Sequence, residues 1–133
     1  MTFPEECLYT KQHEWVRVNG DTAVVGISDY AQKELGDIVF VELPKVGDTY
    51  DTNEPFGNVE SVKAVSEVFC PVAGQVLEVN QKLADSPELI NEDPYGDGWF
   101  IKLRITNPEE LKELFSAEEY QEFIKEEEEE SSE

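Results

Sequence analysis

The sequence is short of the residues on which much protein chemistry depends. It has one histidine, His13, and no His/Cys cluster with metal-ligand spacing. His13 has no serine or cysteine nucleophile to serve in any recognisable motif. The two cysteines, Cys7 and Cys70, are too few and too far apart for a disulfide framework or a zinc site, which points to a reducing compartment. Neither a Walker pattern nor a dinucleotide fingerprint is present, so no phosphate-cradling loop is expected. No run approaches the roughly 18 apolar residues of a membrane helix. The start, Met1-Thr2-Phe3-Pro4-Glu5-Glu6, lacks the basic flank and apolar stretch of a signal or transit peptide. The expected location is therefore the cytoplasm, or a mitochondrial matrix if a leader has been removed. Basic residues are also scarce, 10 against 31 acidic, for a formal charge of −21. Such a surface repels phosphate backbones and excludes nucleic acid as a partner. It favours solubility and can speed encounters with basic proteins.

What is present fits one domain. The chain has 133 residues, 39% of them apolar, enough for a single core. Residues 1–125 are expected to form that domain, with residues 126–133 as an acidic, disordered tail in which adjacent carboxylates repel. The N-terminal part reads as β structure. Asn19-Gly20 between His13-Glu14-Trp15-Val16-Arg17-Val18 and Thr22-Ala23-Val24-Val25 predicts a hairpin with both turn residues at positive φ. Ser28 or Asp29 as cap, a few helix formers and Gly36 predict one short helix. A strand follows through Ile38-Val39-Phe40-Val41-Glu42 and stops at Pro44. Gly74-Gln75-Val76-Leu77-Glu78-Val79 and Gly98-Trp99-Phe100-Ile101-Lys102-Leu103-Arg104-Ile105 read as later strands.

A faint repeat links Gly36-Asp37-Ile38-Val39-Phe40-Val41 to Gly74-Gln75-Val76-Leu77-Glu78-Val79. Repeats imply related units stacked about one core. The two copies bracket Lys63, so a two-fold-like β sandwich would place that lysine on a protruding turn. Towards the C-terminus the period changes. Asn107-Pro108 predicts a helix start with Leu111, Leu114 and Phe115 on one face. Ser116-Ala117-Glu118-Glu119 reads as a capping box, ahead of a face made by Tyr120, Phe123 and Ile124.

Lys63 on local grounds alone is an exposed charge at a turn, the ordinary fate of a lysine. The surroundings raise its interest. Phe56-Gly57-Asn58-Val59-Glu60-Ser61-Val62-Lys63-Ala64 resembles the lipoylation site of the glycine cleavage system H-protein family. Lys11-Gln12-His13-Glu14-Trp15-Val16, Val25-Gly26-Ile27-Ser28-Asp29-Tyr30-Ala31-Gln32, Pro71-Val72-Ala73-Gly74 and Asn91-Glu92-Asp93-Pro94-Tyr95-Gly96-Asp97-Gly98-Trp99 resemble it as well, in the same order. The likeness runs from about residue 9 to residue 120. It implies a mostly β fold, a lipoyl-domain-like barrel-sandwich hybrid of two small sheets with a short internal helix and C-terminal helices.

The resemblance further implies lipoate in amide linkage to Lys63 of a non-catalytic, monomeric carrier. Glu60, three before the lysine, Gly47, sixteen before it, and Gly74, eleven after it, match positions found in lipoylated domains generally. The two glycines are expected to shape the hairpin that a lipoate ligase or lipoyl transferase recognises. The implied partners are glycine decarboxylase (P-protein), which loads an aminomethyl group onto the arm, aminomethyltransferase (T-protein), which removes its one-carbon unit, and dihydrolipoamide dehydrogenase (L-protein), which reoxidises the dithiol. Positions matching the family's arm-sheltering cleft are Gln12, Glu14 and Glu67, where Gln12 and Glu67 replace the Ser and Asp common in the family. Surface polarity beside Trp15 is the plainer account of the three.

His13 reads as a packing or hydrogen-bonding residue rather than a proton donor, and Cys70 as a small buried hydrophobe. A lipoate-relay protein of the same type stays open as an alternative. A 2-oxoacid dehydrogenase lipoyl domain fits less well, since Val62 stands where aspartate is common. A biotin carrier would place methionine beside the lysine, and the one methionine here is Met1.

Overall fold

Period-two alternation of apolar residues builds two antiparallel sheets whose inner faces share one core. The computed structural model describes residues 1–131, with side chains through residue 129. The strands are β1 (Leu8–Tyr9), β2 (Glu14–Asn19), β3 (Thr22–Ile27), β4 (Ile38–Glu42), β5 (Thr49–Tyr50), β6 (Pro55–Ser61), β7 (Val65–Phe69), β8 (Gly74–Val79) and β9 (Ile101–Ile105). One sheet has the order β1-β2-β3-β9-β8-β5 and the other the order β4-β6-β7. Between them lie Val16, Val25, Ile101 and Leu103 from the larger sheet and Ile38, Val41, Val59 and Val68 from the smaller. Each such side chain, fully buried, contributes roughly 1.5–3 kcal/mol.

The repeat seen in the sequence has a structural counterpart. Its two copies become β4 in the small sheet and β8 in the large one. Both strands shift register at the same position, between Ile38 and Phe40 and between Val76 and Glu78. Each places its bulge three residues after the repeat's glycine, where it bends the strand around the shared core.

The first hairpin differs in detail from its expected form. Asn19 pairs with Thr22, so the turn residues are Gly20 and Asp21. Of Asn19, Gly20 and Asp21 only Gly20 takes positive φ, at 66°, which fits a II′ rather than a I′ turn. The register is set by burial: Val16 and Val25 face the core as partners, and a one-residue slip would turn both out of it.

Helix α1 (Asp29–Leu35) begins as expected, with the Ser28 hydroxyl accepting the Ala31 N–H, and ends at Gly36 with φ 80°. Two one-turn helices, α2 (Lys82–Asp85) and α3 (Leu89–Glu92), connect β8 to β9. The segment after Asn107 forms a 3-10 helix, Pro108–Glu113, rather than an amphipathic α-helix. Its tighter winding sends Leu111 and Leu114 to the main core, while Phe115 exchanges backbone hydrogen bonds with Tyr9 and joins a second cluster.

That second cluster lies on the outer side of β1 and β2, where Cys7, Tyr9 and Trp15 meet Ala117, Tyr120 and Ile124 of α4 (Ala117–Ser131). Trp15 faces Gly26 across the ladder, and a Cβ on Gly26 would lie 2.7 Å from the indole. The expected capping box starts α4: the Ser116 N–H donates to Glu119 Oε1 at 2.9 Å and the Glu119 N–H to Ser116 Oγ at 3.2 Å.

The expectation of a tail disordered from residue 126 is corrected by the structure. The helix, anchored by its cap and by Tyr120 and Ile124, continues to Ser131, and glutamate is a good helix former. Residues 132 and 133 lie outside the described residues.

Candidate functional site: the Lys63 turn

Strands β6 and β7 form a hairpin whose last paired residues are Glu60 and Val65. Ser61 then closes the tip. Its N–H donates to the Ala64 carbonyl at 2.8 Å. Its buried hydroxyl accepts the N–H of Lys63 at 3.3 Å and of Ala64 at 3.1 Å. A serine that satisfies the N–H groups two and three residues on is a local turn device. The Val62 N–H leaves the hairpin and donates to the Asp37 carbonyl, between α1 and β4, at 3.1 Å. Beneath the lysine lies Gly36, where a Cβ would sit 3.5 Å from Lys63 Cε.

Lys63 is exposed, and among the described residues its amine makes no ion pair. Around it is an apolar rim. Phe40, Glu60 and Val65 form one cross-strand row on the outer face of the small sheet. Phe40 is 52% exposed, Val65 67% and Val62 71%. A hydrogen-bonded turn thus lifts one amine above an exposed, largely apolar surface, with Glu60 beside the base of the turn.

Gly47 and Gly74 are elsewhere. Gly47, at φ 97°, donates its N–H to the Val76 carbonyl at 2.8 Å. Gly74 opens β8, where it pairs with Tyr50 and Ile105. Gly74 belongs to the six-stranded sheet and Gly47 to the turn before β5 that bonds to it, so neither shapes the lysine hairpin; Ser61 and Gly36 do. A Cβ on Gly74 would sit 2.5 Å from the Arg104 carbonyl oxygen, which accounts for that glycine by close packing.

The three cleft positions are only partly brought together. Glu14 is buried on β2, and its carboxyl accepts from Thr10 Oγ1 at 2.6 Å and from the Phe69 N–H at 3.2 Å. Burial pushes its pKa up to about 7, against the pull of those hydrogen bonds. Glu67 is exposed on β7, in a depression lined also by Glu42, Tyr50, Phe56 and Asn58. Gln12 lines a different cavity, with Asn53, Pro71 and Phe115. Thr10 links Gln12 to Glu14, because its hydroxyl also accepts the Gln12 N–H at 3.1 Å. No pattern of residue types announced Thr10; it acts through contacts that the fold creates.

His13 takes positive φ, 72°. Its Nδ1 lies 2.8 Å from the Tyr120 hydroxyl and its Nε2 3.2 Å from Glu127. These contacts tie the β1–β2 turn to α4. Both cysteines are buried free thiols, and desolvation pushes them up to about 11 at Cys7 and about 12 at Cys70. They stay protonated and unreactive near neutral pH.

The fold and site define a carrier-type domain: a small two-sheet scaffold that presents one lysine on a tight turn. The comparisons with known proteins agree. The family described as "Glycine cleavage H-protein" matches residues 7–127. The "Glycine cleavage system H protein" of Halothermothrix orenii is 55% identical over 126 residues, covering 95% of this chain and 98% of that one. The protein of the same name from Herpetosiphon aurantiacus is 56% identical over 124 residues, covering 93% and 95%. The crystal structure of a glycine cleavage system H protein from Mycobacterium marinum superimposes with a TM-score of 0.82 at 42% identity, over 89% of this chain and 95% of that one. The chain belongs to the glycine cleavage H-protein family, the lipoyl carriers of the glycine cleavage system.

Proposed function

We propose that Lys63 bears a lipoyl group in amide linkage on its ε-nitrogen, and that the chain carries an aminomethyl group through glycine cleavage without catalysing a step itself. The observation that supports this reading is the turn, in which an exposed amine stands on backbone tied to Ser61 and to Asp37. The residues present suit the group. The amine is accessible, and Phe40, Val62 and Val65 offer an apolar surface to an uncharged aliphatic chain. When bound, the lipoyl group supplies an exchangeable disulfide at the end of a long tether.

The chain's own part is presentation and insulation. A fixed turn holds the attachment point at one place on the surface, so that tethering raises the local concentration at each partner. The two thiols stay out of disulfide exchange because they are buried and protonated. Glu60, on the row beside the turn, is suited to recognition by the attaching enzyme. Gly47 and Gly74 are assigned to that recognition only through the shape of the β5–β8 edge. Glu14 and Glu67 are assigned to shelter a loaded arm along β7, and Gln12 is joined to Glu14 through Thr10.

The partners this reading requires are the P-, T- and L-proteins named above and a lipoate ligase or lipoyl transferase. A surface of −21 formal charge suits basic docking faces on them. The proposed location is the bacterial cytoplasm. The compared relatives are bacterial, and among the described residues no helix is long and apolar enough to cross a membrane.

The test is glycine–bicarbonate exchange with the P-protein. The lipoylated chain is expected to support exchange. A chain that accepts lipoate yet fails to support exchange would be a lipoate relay instead.

A further inference from the structure

The stretch beginning at Asn91 resembles the family, yet nothing in the carrier reading uses it. Asn91 lies in α3, 28 positions after Lys63, and its half-buried amide is fully engaged. Oδ1 accepts the Ile38 N–H at 2.9 Å. Nδ2 donates to the Gly36 carbonyl at 2.9 Å and to Gln32 Oε1 at 3.0 Å. The orientation of both amides is set by the network: Gln32 Nε2 donates to Asp29 Oδ1 at 2.7 Å, which leaves Gln32 Oε1 to accept.

Asn91 therefore grips the backbone on either side of Asp37, and the Asp37 carbonyl is what the turn hangs from. Among the described residues, the Val62 N–H is the one backbone donor of residues 62–64 that bonds outside the hairpin. Gly36, held by the same amide, lies under the Lys63 side chain. Without the clamp, Gly36 at φ 80° is a flexible joint, since glycine has the widest backbone freedom of any residue. Small misplacements of a reacting group cost rate steeply.

We propose that Asn91 is a positioning residue for the arm: by gripping Gly36 and Ile38 it fixes the Asp37 carbonyl that anchors the Lys63 turn, and so sets how the lysine is presented for acylation. The anchoring half stands on geometry alone; the acylation half rests on the reading of Lys63 given above.

The experiment uses the full unlipoylated chain as wild type, Asn91→Ala, Asn91→Asp and Gln32→Ala. Amide hydrogen exchange is read at Val62 and in strands β3 and β9. Lipoylation kinetics are read with lipoate, ATP and a lipoate ligase. Asn91→Ala is expected to speed exchange at Val62 by about tenfold or more relative to β3 and β9, and to lower kcat of lipoylation by about tenfold with little change in KM. Gln32→Ala, which leaves the grip on Gly36 and Ile38, is expected to stay within about twofold of wild type. If Asn91→Ala does not fold, Asn91→Asp decides by the same readouts, because it keeps the acceptor for Ile38 and loses both donated bonds.

Unchanged relative exchange at Val62 overturns the anchoring. A loss of lipoylation that matches the loss in Gln32→Ala, or that follows a rise in global opening, overturns the presentation half. Faster exchange at Val62 with normal lipoylation overturns the presentation half. Failure of the wild type to accept lipoate counts against the function, while exchange at Val62 still decides the anchoring.

Discussion

The hydroxyl of Ser61 accepts the backbone N–H of Lys63, so the residue that closes the hairpin also sets the conformation of the residue that carries the amine. Ser61→Ala leaves two tip N–H groups to water and removes a buried hydroxyl. The expected stability loss is about 1 kcal/mol. Lipoylation is expected to slow by about tenfold as the turn loosens. Denaturant midpoints and ligase kinetics on the same preparations check both, and unchanged kinetics would show that the turn needs no such tie.

Glu14 makes a pH prediction. Its pKa in the folded chain is pushed up to about 7 by burial, above the ordinary glutamate value. The stability this contributes is fully present below the unfolded value near 4.5 and is lost as pH rises through about 7. The loss amounts to about 3 kcal/mol at most. Burial holds His13 below the usual histidine range, against the pull of Glu127, and tilts the curve the opposite way at the acid end. The telling quantity is therefore the difference between wild type and Glu14→Gln. Urea midpoints at pH 5 and pH 8 should fall with pH more steeply in the wild type than in the variant. Parallel curves would contradict the assignment.

Tyr120 separates two effects within one side chain. Its ring stacks on Tyr9 at 4.6 Å, while its hydroxyl bonds Ser28 Oγ at 2.7 Å and meets His13. Tyr120→Phe keeps the stack and strips partners from two largely buried groups, at a cost of about 1–3 kcal/mol. Tyr120→Ala also opens a cavity, for about 3–5 kcal/mol. Lipoylation of the folded fraction should be unaffected in both, because α4 lies against β1 and β2 and not the small sheet. Equal stability of wild type and Tyr120→Phe by urea titration would remove the hydroxyl network from the account of how α4 docks.

The features legible in the sequence are those whose cause is local. The capping box of Ser116 and Glu119, the cap at Ser28 and the closing glycine at Gly36 are written within a few residues of one another. The repeat was legible for the same reason, and it located β4, β8 and the turn between them. The Asn19-Gly20 hairpin was found, but the turn moved by one residue, since register is decided by the burial of Val16 and Val25 across the ladder. The distance of Gly47 and Gly74 from the lysine hairpin is not legible, because spacing along the chain cannot show which sheet a residue joins or packs beside. Gln12 and Glu67 were grouped by likeness and proved to line different cavities. The helical run of glutamates is not legible from charge repulsion alone, because the helix that precedes it is anchored by Tyr120 and Ile124. Asn91 was visible only as part of a family stretch; its partners Gln32, Gly36 and Ile38 lie more than 50 positions away and meet it only in the fold.

The central claim is that Lys63 carries the lipoyl group, and intact mass spectrometry with peptide mapping tests it most directly. The chain is produced in lipoate-replete cells with a working ligase, beside Lys63→Arg. The account predicts one lipoyl adduct on the wild type, confined to the Lys63 peptide, and none on the variant, whose folding the exposed substitution leaves intact. An unmodified wild type, or an adduct that persists in Lys63→Arg, would contradict it.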